Sequence, residues 1–132
     1  MTPVTIPAHD RHGIRVFAAR LTPKDLQRDK AGLAIALLGD PDLDPAHVEL
    51  FDTADLSGLG LSGYLTEGLG VAEDRINRDQ LDTVTGPVLI LHSRALHGRA
   101  VTLTPDPRLT LIGTYAEQRA PVRFEPLPTP AA

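Results

Sequence analysis

The residues best equipped for chemistry lie in two stretches. One is the Gly-rich segment 57–68, which carries Tyr64 and Glu67. The other is His92-Ser93-Arg94, directly after an apolar run. A carboxylate, an imidazole and a guanidinium could bind a small ligand or move a proton. Strand ends and the loops after them are where folds of mixed α/β character place such groups. Tyr64, Glu67, His92 and Arg94 are therefore the candidate ligand-binding residues. The plainer alternative is that Tyr64, at helical spacing with leucines, belongs to a core, and that His92 is a partly buried histidine. No catalytic residue is assigned. Ser93 beside His92, with His97 close by, suggests a nucleophile pair, but neighbours along a strand point to opposite faces and no G-x-S-x-G elbow surrounds the serine.

Other signals are weaker. Gly58-Leu59-Gly60-Leu61-Ser62-Gly63 fits G-x-G-x-x-G. That fingerprint binds dinucleotides where a strand runs into the first glycine and a helix opens after it. Here residues 52–57 intervene and no acidic strand end follows. Asp40, Asp42 and Asp44 have the spacing of a calcium loop, but Pro45 and Phe51 stand where glycine and a bidentate glutamate are needed. His9 and His12 lack a third ligand, and the absence of cysteine removes thiolate sites. No metal and no cofactor is implied. Arg94, Arg99 and Arg108 could meet a carboxylate or phosphate, yet charges on such strands commonly discourage edge pairing.

The frame for these residues is one domain. The chain has 132 residues, 42% hydrophobic and 23% charged, enough for one real core and too short for a large multidomain enzyme. The net charge is −4, with −9 concentrated in residues 40–85. With three Phe, two Tyr and no Trp, both the phosphate-binding charge and the stacking platforms of a nucleic-acid binder are missing. The longest apolar stretches, 33–38 and 88–91, fall far short of a membrane span, and the first residues lack the apolar region of a signal peptide. The expected location is cytoplasmic, with no membrane or nucleic-acid partner.

Residues 14–21 read as a strand. Thr22-Pro23-Lys24-Asp25 then opens a helix over 23–38, ended by Gly39 and Pro41. Residues 47–51 read as a strand. Leu61, Leu65 and Leu69 recur every four residues and predict a helix of about two turns. Asn77 to Gln80 resembles a capping box for another short helix. Residues 88–91 predict a strand buried on both faces. Alternation at 101–104 and 109–115 predicts C-terminal hairpins, with 122–124 as a short edge strand. The expected fold class is α+β: a single compact domain over 13–125, with a mixed or mainly antiparallel sheet covered by one long and two short helices. Residues 1–12 form an N-terminal arm and 126–132 a proline-rich tail.

The stretch 55–68, with Thr102-Leu103-Thr104-Pro105 and Leu111-Ile112-Gly113-Thr114-Tyr115, resembles a group of short, uncharacterised bacterial proteins, some labelled as aspartate carbamoyltransferase catalytic subunits. The resemblance covers roughly residues 13–127. That enzyme family uses an S-T-R-T-R type loop and an H-P-x-Q segment. This chain offers only His92-Ser93-Arg94 and Arg99, has no His-Pro pair, and has less than half the length needed for two substrate-clamping domains. The resemblance therefore implies no catalytic residue here. From the residues alone, the expected function is a non-enzymatic accessory or assembly module acting through protein contacts or self-association. The alternative is a small-ligand binder or small enzyme, with its site between 57–68 and 92–94.

Overall fold

Four consecutive apolar residues in an extended segment leave neither face for water, so that segment must lie inside. Val88, Leu89, Ile90 and Leu91 are each 0% exposed. The computed structural model describes residues 3–27, 29–56 and 58–118. Its strands are β1 (Val4–Ile6), β2 (Gly13–Ala19), β3 (Val48–Asp52), β4 (Pro87–His92), β5 (Val101–Leu103) and β6 (Leu109–Ala116). Its helices are α1 (Pro23–Leu26), α2 (Lys30–Leu38), α3 (Gly60–Gly63) and α4 (Arg78–Asp82). The fold is α+β. One four-stranded antiparallel sheet has the order β3-β4-β2-β6, and β1 and β5 form a separate two-stranded ribbon.

Each face of the sheet has its own core. Phe17, Leu89, Leu91 and Leu50 face α2, which contributes Ala34, Leu37 and Leu38, and the ribbon, which contributes Val4, Ile6 and Leu103. Ile14, Val16, Val88 and Ile90 face Leu61 and Leu65 of the Gly-rich segment and Leu81 of α4. Side chains alternate across β2 and β4, so both layers are needed to remove these strands from water.

Three local expectations change. The helix over 23–38 is two helices. Thr22 and Asp25 form a reciprocal capping box on α1, and Asp29 then caps α2 by accepting from the Gly32 amide. An aspartate that satisfies a free amide in this way restarts the helix rather than continuing it. Gly39 ends α2 at φ 83°, as its type predicts. Next, the strands at 101–103 and 109–116 do not pair with each other. β5 pairs with β1, while β6 pairs with β2. Residues 4–6 of the expected arm are thus a strand, with Val4 and Ile6 buried and Thr5 opposite Thr102. Last, α3 widens into a π-helical turn over Tyr64–Gly68, closed by the Leu69 amide on the Tyr64 carbonyl at 3.1 Å. The 122–124 edge strand and the 126–132 tail lie outside the described residues.

Candidate functional site

In β3, Glu49 stands opposite Ile90 of β4. It therefore shares a face with Ile90 and with His92, two residues further along β4. His92 Nε2 lies 2.6 Å from Glu49 Oε2. From above this face, the π-turn delivers Tyr64, whose hydroxyl donates to Glu49 Oε1. The Tyr64 ring is steadied edge-on by Phe51, with centroids 5.1 Å apart. A π-helical turn re-aims side chains relative to an α-helix and recurs at functional sites.

Glu49 is thus the hinge between the two chemistry-bearing stretches. Burial pushes its carboxyl up, but the hydrogen bonds from His92 and Tyr64 and the charge of His92 outweigh that, leaving it below its ordinary value. Burial, the hydrogen bond to Glu49 and the negative charge of Glu49 push the Tyr64 phenol up. The Glu49 carboxylate accepts the Nε2 proton of His92, so Nδ1 is the ring's acceptor whenever the imidazole is neutral.

Beside this triad opens a cleft of about 490 Å³ lined by His47, Glu49, Glu67, His92, Arg94 and Glu117, among others. Arg94 Nη2 holds Glu117 Oε1 at 2.8 Å, and the same oxygen lies 3.4 Å from His12 Nδ1. Glu67 and His47 make no side-chain hydrogen bond or ion pair among the described residues. A larger hollow of about 680 Å³, between 72–75 and 114–118, brings no comparable set together, and Asp74 and Arg75 on its wall are exposed.

The structure therefore gathers the sequence candidates on one side. Glu67, His92 and Arg94 line the cleft, and Tyr64 reaches it through Glu49. The residues missed are Glu49, His47 and Glu117. Glu49 carried one readable signal, a carboxylate alternating onto the same strand face as Phe51. Its partners lie 43 and 15 residues away in sequence, beyond any local pattern.

The other motifs resolve into structure. Ser93 is 0% exposed and bonds Asp10 and Arg15 rather than a histidine. The start of α3 is occupied by the chain's own carboxylate: Asp82 Oδ1 accepts from the Ser62 amide at 3.1 Å and hydroxyl at 2.7 Å. A Cβ on Gly60 would stand 2.8 Å from that oxygen. The glycine makes room for aspartate, where a nucleotide site would need room for phosphate. Asp44 caps the turn Pro45–His47, and Asp40 faces Arg99. Among the described residues, no group of three His, Asp or Glu is placed to hold a metal ion. Arg94, Arg99 and Arg108 are each paired with a carboxylate. No described helix is long and apolar enough to cross a membrane. No family model, curated protein or solved structure matches the chain.

Proposed function

We propose that the protein binds a small polar molecule in the cleft beside Glu49. The observation that carries this reading is the single carboxylate joining Tyr64 of the Gly-rich segment to His92 of the strand end, with a 490 Å³ cleft at the junction. Ligand sites usually span about 300–1,000 Å³ and combine a few convergent polar groups with perturbed titration. A half-buried charged triad is also a poor way to gain stability, because apolar residues of similar volume often hold as well or better. The groups available to a ligand are the His92 Nδ1 acceptor, the Glu67 carboxylate, His47 and the outer edge of Arg94. A ligand offering hydrogen-bond donors together with one acidic group would match them.

Native mass spectrometry of the protein, purified gently from its own source, tests this. A discrete small-molecule adduct is expected. It should fall by about tenfold or more, a loss of about 1.4 kcal/mol, in both Glu67→Ala and His92→Ala. A bare wild-type mass, or an adduct undiminished in both variants, would overturn the reading.

A second reading, self-association or another protein contact, is favoured by β6. This eight-residue strand is the last in its sheet, and its Leu111 is 43% exposed. An edge of this length offers backbone groups to a further strand. Light scattering should give an assembly for the wild type and a monomer for Leu111→Lys. A monomeric wild type, or an assembly untouched by the lysine, would count against it.

A further inference from the structure

The chain has five histidines, drawn from four separate segments, and all line two adjoining hollows at one end of the sheet. His92 lies in the cleft already described. The second hollow, about 510 Å³, has walls that include His9, Arg11, His12, His47, Arg94 and His97, and it shares His47 and Arg94 with the cleft. Asp10 is the one carboxylate on that wall among the described residues, and it turns inward to Ser93 and Arg15.

The backbone supplies an independent observation. His9 at φ 65° and His97 at φ 52° are the only non-glycine residues described in the left-handed region. They face the same hollow and are tied together by the His9 amide donating to the Gly98 carbonyl at 2.9 Å. A side chain in this region is strained where glycine would not be. Such backbone cost concentrates at ligand clamps.

We propose that this hollow binds a phosphate-bearing anion. His97 is paired with Asp44 at 3.1 Å, and Arg94 and His12 share Glu117. His9 and Arg11 make no side-chain hydrogen bond or ion pair among the described residues, and His47 makes none but feels the charge of Asp44. Each of these three groups is a donor or can become one, so the wall suits an acceptor-rich anion. The donors come from three directions: the loop before β2, the turn before β3 and the turn after β4. A planar carboxylate presents its two oxygens in one plane. A tetrahedral phosphate presents three terminal oxygens and can meet all three segments at once. This assignment shares His47 and Arg94 with the cleft reading, but it rests on His9, Arg11 and His97, which that reading does not use, and on a different ligand chemistry.

The test is imidazole NMR on the full chain, titrated with inorganic phosphate and, separately, with glycerol 3-phosphate at constant ionic strength. Saturable shifts of the His9, His47 and His97 ring signals are expected. Arg11→Ala combined with His9→Ala should weaken binding by about tenfold or more, while Arg108→Ala, whose guanidinium is committed to Asp106, should bind as the wild type does. Both variants alter exposed side chains, so the fold survives the comparison. Tighter binding of the ester would identify the occupant as a phosphorylated small molecule, and equal binding would identify free phosphate. Shifts that fail to saturate, that chloride reproduces at the same ionic strength, or that persist in the double variant would overturn the site.

Discussion

Replacing Asp10 by alanine is expected to destabilise the fold by about 3 kcal/mol, the lower end of the range for breaking a buried charge pair. Arg15 lies on β2 between two other strands and is 8% exposed. Its guanidinium meets Ser93 Oγ at 3.1 Å and Asp10 Oδ2 at 3.6 Å. The Ser93 hydroxyl donates a hydrogen bond to the same Asp10 oxygen at 2.6 Å. Removing Asp10 leaves one buried cation without a countercharge and one buried hydroxyl without an acceptor. Because the Asp10 side chain is 27% exposed, water will enter and soften the loss, which sets the estimate at the low end. Gly13→Ala provides the companion measurement. A Cβ there would stand 2.5 Å from both Asp10 Oδ2 and Ser93 Oγ, so the variant should loosen the same network and lose about 2 kcal/mol. Since both changes act on one network, the double variant should lose clearly less than the sum of the two. Urea unfolding of the wild type and the three variants reads this directly. Additive losses, or an Asp10→Ala cost under about 1 kcal/mol, would show that solvent already replaces the carboxylate.

This network also shows what kind of information a sequence withholds. Signals carried by one residue and its near neighbours were legible. The run at 88–91 marked the central strand, Thr22-Pro23 and Asn77 marked helix starts, and Gly39 marked a stop. Signals that depend on pairing across the chain were not. Ser93 and Asp10 are 83 residues apart, and nothing local to either announces the other. Three residues of alternation at Val4–Ile6 are too few to separate a strand from an arm, and only Val101–Leu103 as partner makes them one. The continuous leucine pattern over 23–38 hid the restart at Asp29, because a cap depends on one side chain's choice of partner rather than on periodicity. Three of the cleft's residues, Glu67, His92 and Arg94, and the Tyr64 that reaches it through Glu49, are legible because they lie in the two segments with unusual composition. Glu49 is not legible in this way, because a single glutamate in a short strand has the same local pattern as a solvated edge charge.

That same glutamate carries the second large expected effect. Glu49→Leu should cost about 3 kcal/mol at neutral pH, since it leaves the half-buried Tyr64 hydroxyl and His92 imidazole without their shared acceptor. The side chain is 28% exposed, so apolar packing against Phe51 and Ile90 recovers only part of that loss. The pH dependence gives a sharper test, and its sign is fixed. The folded Glu49 carboxyl lies below its ordinary value of 4.5, so the folded state holds its proton less tightly than the unfolded chain does. The stability it contributes is complete above the unfolded value and is lost as pH falls through the folded one. The wild type should therefore lose stability more steeply than Glu49→Leu between about pH 5 and pH 3, and the two curves should converge in acid. Parallel curves across that window would mean that His92 and Tyr64 do not hold the carboxylate. Glu49→Gln separates stability from function. Its amide oxygen can still accept from Tyr64, while its NH2 donates to His92 Nε2 and drives the imidazole proton to Nδ1. The fold should lose only about 1 kcal/mol, yet the cleft should lose its acceptor, and with it the bound molecule.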